Sequence, residues 1–258
     1  MIWNFFKPIT AFVIFSFIIN ILGCSTDKET TKPGNVEFYE TYFASEILTE
    51  WQEASLISSR KELELKDSLV QKSNSSSSST VSIQKGLSDL IRPYGEYAIG
   101  SASKENKSKV ESLLKRKDVI GVFPKNLKFI WSSEMEVLGN FVKEKGYILY
   151  AIRIPENNEP YLSGKEIKHT TTGYDDNSGR ITIDIEMTYR GRDKWAEMTT
   201  MNISRMIALT LDGKVIFAPI VTNSISTGRA QISGNLTVDY ANSLVERINA
   251  FSELNQKR

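Results

Sequence analysis

The chain has 258 residues, with 32 Lys and Arg residues against 31 Asp and Glu residues, one His and one Cys. Nucleic acids and anionic lipid surfaces are bound mainly by clustered cations, so this balanced chain is a poor candidate for binding either of them. One histidine, His169, and one cysteine, Cys24, leave little material for a nucleophilic triad or a His/Cys metal site. The residues therefore favour a binding or interaction module over an enzyme, with no metal and no cofactor.

The first residues of the chain predict a lipoprotein signal peptide over residues 1–23. A single cation, Lys7, precedes an apolar stretch over residues 9–22. This stretch is shorter than the roughly 20 apolar residues that a membrane-spanning helix needs. It ends in Ile21-Leu22-Gly23-Cys24, which resembles the lipobox of bacterial lipoproteins. We expect cleavage before Cys24 and lipidation of its thiol, with an uncleaved anchor helix as the alternative.

Lipidation at Cys24 would attach the mature chain to a membrane of the cell envelope. Two or more acyl chains hold a protein stably at a bilayer, whereas one chain binds only marginally. Residues 24–35 are polar and end near Pro33-Gly34, which is typical of a solvated tether. Ser25 stands where enterobacterial lipoproteins retained at the inner membrane carry aspartate. The outer membrane is therefore favoured, and its periplasmic and surface faces remain equal alternatives.

Residues 36–72 predict one strand followed by one helix. Apolar and polar residues alternate over residues 36–42, as they do in a strand whose side chains point to opposite faces in turn. Residues 45–71 change to helical spacing, with Ser45 as a candidate N-cap and a second half dominated by charge. Residues 73–82 are rich in serine and predict a flexible linker.

Residues 83–252 predict one domain of mixed strands and helices, followed by a polar tail over residues 253–258. Period-two patterns predict its strands, and apolar residues three and four apart behind a capping residue predict its helices. The elements are a strand over 97–101, a helix capped by Ser103, strands over 127–131 and 147–154 with a turn at 144–146, a strand over 181–187, a helix over 190–201, a hairpin of 207–211 and 215–217 around Asp212-Gly213, and a helix capped by Thr237. Because no βαβ rhythm appears, the fold class is α+β with a largely antiparallel sheet packed by helices.

Three polar features of the chain are explained without a catalytic or metal site. His169 lies in the polar run 168–173, which is typical of an exposed loop. Residues 175–179 lack the alternate spacing and terminal glutamate of a calcium-binding EF-hand, and they are typical of a tight turn. Asp184 and Glu186 share the wet face of an amphipathic strand. No acid–base pair follows from these residues.

Residues 181–248 resemble the head subdomain of the first periplasmic domain of SecD, an accessory subunit of the bacterial Sec translocase. Two earlier segments, residues 35–42 and 127–131, resemble the fused SecD-SecF proteins of Bacteroidota. The chain is therefore identified as a stand-alone, Bacteroidota-type lipoprotein with a SecD-like head over residues 83–252. The matching positions are Met187-Thr188, Lys194-Trp195-Ala196, Met198-Thr199, Asn202, Arg205, Ile207-Ala208-Leu209, Leu211-Asp212-Gly213-Lys214-Val215, Ala218-Pro219, Gly228, Gln231-Ile232-Ser233-Gly234, Thr237 and Ala241.

The resemblance implies a role in protein export, and the departures from it limit that role. SecD spans the membrane repeatedly and couples proton flow to its periplasmic domain, whereas this sequence predicts no such helices. Part of the SecD base subdomain is missing, and Ser204 stands where the family commonly has glycine. We expect a module that binds translocating polypeptides or Sec translocon subunits without its own proton coupling. The alternative is a structural or adaptor lipoprotein that keeps the fold and has no role in translocation.

The resemblance also suggests a binding surface around residues 223–233. Extended polypeptides are often bound by exposed sheet edges or apolar grooves, where backbone hydrogen bonds give affinity that tolerates sequence variation. The alternative for Asn202, Arg205 and Gly228 is a purely structural role in turns and in the join between helix and strand. The candidate binding residues are Asn202, Arg205, Gly228, Arg229 and Gln231.

Overall fold

A computed structural model of the protein describes residues 32–70, 86–137, 145–176, 178–234 and 236–256. The expected signal peptide, Cys24, most of the tether and the serine-rich linker lie outside these residues. Within the described ranges, no helix combines the length and the apolar character that crossing a bilayer requires.

The described residues form eleven strands, six α-helices and two short 3-10 turns. The strands are β1 (Val36–Thr41), β2 (Gly100–Ala102), β3 (Leu127–Trp131), β4 (Glu136–Val137), β5 (Lys145–Arg153), β6 (Leu162–Ser163), β7 (Ile167–Tyr174), β8 (Ile181–Met187), β9 (Ile207–Leu211), β10 (Lys214–Phe217) and β11 (Arg229–Ser233). The helices are α1 (Leu48–Val70), α2 (Leu87–Leu90), α3 (Lys104–Leu114), α4 (Lys117–Ile120), α5 (Tyr189–Met201) and α6 (Val238–Gln256), and the 3-10 turns are Ala44–Ile47 and Gly164–Glu166.

The larger sheet contains eight strands in the order β10-β9-β1-β5-β2, with β3 and β4 paired to β5 and β6 paired to β1. All of these strand pairs are antiparallel. Strands β2, β3 and β5 share an apolar core with helices α1 to α4, and this core contains several aromatic rings. Trp51 of α1 meets Phe129 of β3 edge-on, and the ring of Phe129 meets Phe123 at 4.9 Å between centroids.

The smaller sheet contains three antiparallel strands in the order β11-β8-β7. A second apolar core lies among this sheet, strands β1 and β9, and helices α5 and α6. Ile183, Ile185 and Met187 of β8 are buried, whereas Asp184 and Glu186 are partly exposed, as the period-two pattern predicted. The pattern fails at the start of the strand, where Thr182 is fully buried and Ile181 is half-buried. The α+β class with antiparallel sheets packed by helices is thereby confirmed, although the protein builds two sheets rather than one.

Several local predictions from the sequence are confirmed by the backbone. Asp212 and Gly213 adopt φ values of 50° and 73°, which the turn of the β9–β10 hairpin requires. Ser103 accepts a hydrogen bond from the Asn106 amide, and Thr237 accepts one from the Tyr240 amide, so both residues cap their helices. Ser204 adopts a left-handed φ of 67°, a backbone conformation that glycine reaches more readily than serine.

Other predictions were wrong at the ends of elements. His169 lies in strand β7, not in a loop, and its side chain is exposed. Lys145 and Gly146 already belong to β5, so the turn before that strand does not include them. Ser45 lies inside a 3-10 turn, where the capping carboxylate is that of Glu46, which accepts from the Phe43 amide at 2.8 Å. Helix α6 continues to residue 256 and takes up most of the expected polar tail.

Candidate functional site

An apolar cleft lies between the two sheets, alongside the connection of residues 218–228 that leads from β10 to β11. Its volume is about 280 Å³. Both sheets and helix α5 contribute side chains to it, so the cleft exists only when the two sheets are packed together. The lining consists of Phe38, Ile185, Trp195, Ile207, Leu209, Pro219, Ile220, Val221, Thr222, Asn223, Ile225, Ala230, Gln231 and Ile232.

The connection beside the cleft is held by the end of helix α5 and by the turn that follows it. The Ile225 amide donates to the Thr199 hydroxyl at 3.0 Å, and the hydroxyls of Thr200 and Ser224 lie 2.7 Å apart. Further along, the Val221 amide donates to the Arg205 carbonyl at 2.8 Å. These bonds fix the cleft wall in place rather than leaving it as a free loop.

The rim of the cleft carries exposed apolar side chains. Ile220 is 44% exposed and lines the cleft. Ile203 is 47% exposed and forms an isolated β-bridge with Val221, which also lines the cleft. Single exposed apolar residues are ordinary, but a group of them beside an apolar cleft is typical of an interaction site.

Trp195 lines the cleft with a buried indole ring that carries one polar N–H group. Its side chain is 5% exposed, and its indole N–H finds no acceptor among the described residues. The ring packs edge-on against Phe38, with 5.7 Å between centroids. A buried donor without an acceptor costs about 1–3 kcal/mol. Trp195 therefore offers a hydrogen-bond donor that the fold does not use.

Arg229 and Gln231 are exposed residues of β11, and Gln231 is also among the residues that line the cleft. They border a shallow polar depression of about 530 Å³ that also includes His169, Asp184 and Glu186. The Gln231 amide donates to Asp184 Oδ1 at 2.8 Å, and Arg229 is the strand partner of Glu186. A hydrogen bond from Lys168 lowers the pKa of the Glu186 carboxyl, so this group stays charged at neutral pH.

Asn202 and Arg205 lie elsewhere, at the join between α5 and β9, and line neither the cleft nor the depression. The buried Asn202 amide donates to the Met198 carbonyl at 2.9 Å and to Glu40 at 3.2 Å. The Arg205 guanidinium binds both oxygens of Glu46, at 2.8 and 3.0 Å, and covers the Phe43 ring. The structure therefore separates these two candidates from Arg229 and Gln231.

Gly228 immediately precedes strand β11, and its backbone conformation favours glycine. Its φ of 70° is left-handed, and a Cβ at this position would lie 2.8 Å from Cγ of Arg192. Its carbonyl accepts from the Met187 amide at 2.8 Å, which begins the pairing with β8. Gly228 thus positions β11 beside the cleft, while its missing side chain makes no contact there.

The surface suggested by the sequence, residues 223–233, supplies one wall of the cleft. The opposite wall, formed by Phe38, Ile207 and Leu209, was not suggested, because period-two patterns give the buried face of a strand but not what that face meets. The exposed apolar rim was also missed. An available signal was the Ile203 and Ile220 pair, since apolar residues in polar connections are candidates for binding.

Arg205→Ala is expected to lower the free energy of unfolding by about 1–2 kcal/mol at pH 7. The exchange removes two charge-assisted hydrogen bonds and a cation–π contact. The expected energy is reduced for screening by water, because the Arg205 and Glu46 side chains are 30% and 31% exposed. Arg205 lowers the pKa of Glu46 from its ordinary 4.5, so this stabilisation is present above pH 4.5 and is lost as the pH falls through the folded-state value. Urea unfolding at several pH values measures both effects.

Arg180→Ala is the control for this exchange, because Arg180 is an exposed cation beside the β7–β8 turn. It should change the free energy of unfolding by less than about 0.5 kcal/mol. A loss of polypeptide affinity in R205A at a temperature where the variant is fully folded would instead support a binding role for Arg205.

Residues 147–251 match the family model described as SecDF, P1 head subdomain. The protein translocase subunit SecD of Acidaminococcus fermentans is 39% identical over 74 residues, which are 29% of this chain and 18% of that protein. The SecD subunit of Aquifex aeolicus is 34% identical over 85 residues, which are 33% of this chain and 17% of that protein. The match spans less than a fifth of the length of each of these two relatives.

One solved structure is described as "Structure and function of a membrane component SecDF that enhances protein export". It aligns with 83% of this chain and 93% of its own, at 16% identity and a TM-score of 0.34. The family match begins in β5 and ends in α6, so it includes every lining residue of the cleft except Phe38. The extension of the head to residues 83–146 stays a prediction.

Proposed function

We propose that this chain is a non-catalytic, lipid-anchored envelope module that assists protein export by binding extended segments of exported polypeptides transiently. The observation that carries the proposal is the apolar cleft, most of which is built by the residues that match the P1 head subdomain. The relatives that match the same residues are protein translocase subunits. A translocating chain exposes apolar side chains because it is unfolded, and such a cleft would shield them from water.

The volume of the cleft suits brief binding of a few side chains rather than long-lived binding of a polypeptide. A volume of about 280 Å³ admits side chains but not a folded domain. Each apolar side chain that it buries contributes about 1.5–3 kcal/mol, against an association cost of about 4–15 kcal/mol. A few such side chains therefore give weak affinity, and the bound segment leaves quickly. No proton-driven step is part of this proposal.

Attachment to the membrane is the second element of the proposal. The lipobox ending at Cys24 would supply the anchor, and the polar residues up to Asn35 would supply the tether. We place the module in the cell envelope, with the outer membrane favoured. Sec translocon subunits are the proposed protein partners, since the matching relatives carry the name of translocase subunits.

Ala230→Phe tests the cleft directly. Ala230 is half-buried on β11, lines the cleft and pairs with Ile185, so a phenyl ring at this position would occupy the space that a bound side chain needs. We expect the affinity for an unfolded secretory precursor to fall at least about tenfold. Fluorescence anisotropy of a labelled precursor measures the change. The matched control is Ala250→Phe, which adds the same ring to a partly exposed alanine of α6 outside the cleft.

Photocrosslinking in cells tests whether export supplies the ligand. A photoreactive residue at Ile220 on the cleft rim should trap secretory chains during active export, whereas one at the exposed Lys128 of β3 should not. If Ile220 captures only unrelated envelope proteins, and A230F binds the precursor as well as the unmodified protein does, the export proposal fails and the adaptor alternative replaces it.

A further inference from the structure

Strand β11 has one edge that no described strand covers. The Met187 amide bonds the Gly228 carbonyl, so the alternation of an antiparallel ladder makes Ala230 and Ile232 the residues bonded to β8. The backbone N–H and C=O groups of Gln231 then point away from β8. The Arg229 N–H, also at this edge, donates to the Thr227 hydroxyl at 3.3 Å. The unused backbone groups therefore begin at Gln231.

The opposite edge of the smaller sheet is closed in a different way. There the Asn249 side chain of α6 accepts from the Thr170 amide at 2.8 Å and donates to the Thr170 carbonyl at 2.9 Å. One amide side chain thereby satisfies both backbone groups of a β7 residue, as a neighbouring strand would. Exposed edges are usually protected in this way. Among the described residues, no side chain bridges both backbone groups of a β11 residue in this way. The β11 edge is therefore the side of the sheet that can accept another strand.

The residues of β11 alternate in exposure, with Arg229, Gln231 and Ser233 exposed, Ala230 half-buried and Ile232 buried, although Ala230 also borders the depression and Gln231 also lines the cleft. Ala230 and Ile232 line the apolar cleft and lie opposite Ile185 and Ile183 of β8. The alternate residues Arg229 and Gln231 border the polar depression, opposite Glu186 and Asp184. A polypeptide that added itself to this edge would continue the sheet. Its successive side chains would therefore meet the cleft and the charged depression in turn.

We propose that this site selects extended segments whose apolar residues recur at every second position. The inference rests on the proposed function and names its substrate class. Alternate apolar side chains would enter the cleft, while polar ones would remain beside the ionised Glu186 and the Asp184–Gln231 hydrogen bond. A uniformly apolar segment would place half of its side chains against these polar groups and desolvate them. Strands of outer-membrane β-barrels carry the period-two pattern, so unfolded barrel precursors form one such class of ligand.

Two peptides of identical composition test the selection. Each has nine residues, four of them Val or Leu and five of them Thr or Lys; in one peptide the two kinds alternate strictly, and in the other the apolar residues form one block. Anisotropy with the full chain should show the alternating peptide binding at least about tenfold more tightly. Equal affinity would overturn the selection and leave the proposed function standing. If neither peptide binds, the selection and the binding of extended polypeptides both fail.

A backbone variant tests the edge. Gln231→Pro removes the N–H group that faces the open edge, and a proline is tolerated there because this N–H does not pair with β8. The comparison is with Gln231→Ala, since both variants lose the side-chain bond to Asp184. The alternating peptide should bind Q231P at least about tenfold more weakly than Q231A, and thermal melts should confirm that both are folded. Equal affinity for the two variants would overturn the proposal that the peptide adds to the sheet.

Discussion

Gly191→Ala is expected to lower the free energy of unfolding by about 2–3 kcal/mol. Gly191 lies in the first turn of α5, where the helix rests on the turn Gly164–Glu166. A Cβ at this position would lie 2.3 Å from the backbone carbonyl oxygen of Glu166. That oxygen also accepts the Thr188 amide at 2.8 Å, so it cannot move aside without losing a hydrogen bond. Helix propensity favours alanine over glycine by about 1 kcal/mol, and the steric cost exceeds this gain.

Urea unfolding of G191A measures the loss of stability, and Gly234→Ala is the matched control. A Cβ at Gly234 would meet only Cε1 of Phe217 at 3.7 Å, an ordinary contact, so this variant should change the free energy of unfolding by less than about 0.5 kcal/mol. Because α5 carries Trp195 to the cleft, G191A should also weaken polypeptide binding. Equal stability of G191A and the unmodified protein would show that α5 does not rest on Glu166 as described.

The elements that could be predicted from the sequence are those whose signals are local. The strict alternation of Ile181–Met187 reports one buried and one wet face, and Asp212-Gly213 reports a turn that needs left-handed backbone. Strand β7 lacks such a signal. Its middle is a run of polar residues, and Thr170 is buried with its hydroxyl bonded to Asn249, 79 residues away. A polar run can thus be a strand when a distant partner satisfies it.

The candidate site was predicted in part, for the same reason. Residues 223–233 were suggested from the resemblance, and several of them line the cleft. Residue type alone could not separate a structural role for Arg205 from a surface role for Arg229, because the two residues differ only in the side chains that they contact. Glu46 is 159 residues away from Arg205, and no pattern in a single sequence indicates that these two side chains meet. This contact depends on the antiparallel pairing of β1 with β9, which brings Glu40 opposite Ile207 and which local patterns do not encode.

Cys24→Ser is expected to move the protein from the membrane fraction to the soluble fraction, with at least a tenfold fall in the membrane-bound to soluble ratio. The proposed signal peptidase acts only on a lipidated thiol, so the exchange is made in a chain whose residues 1–23 are replaced by a leader cleaved without lipid. Two or more acyl chains at Cys24 account for all of the stable attachment in this proposal. The folded domain should be unaffected, because α1–α6 and both sheets lie beyond residue 35.

Fractionation after a high-salt wash, together with the mass of the N-terminal peptide, separates the possible anchors. Ser25→Ala, with the native leader, is the control, and it should remain in the membrane fraction with acyl chains on Cys24. If the unmodified protein keeps residues 1–23 and carries no acyl chain, the uncleaved anchor helix is the correct interpretation. Either anchor would hold the cleft near a bilayer through the polar residues 24–35, and this tether would let the domain turn its open β11 edge towards a chain that emerges from the membrane.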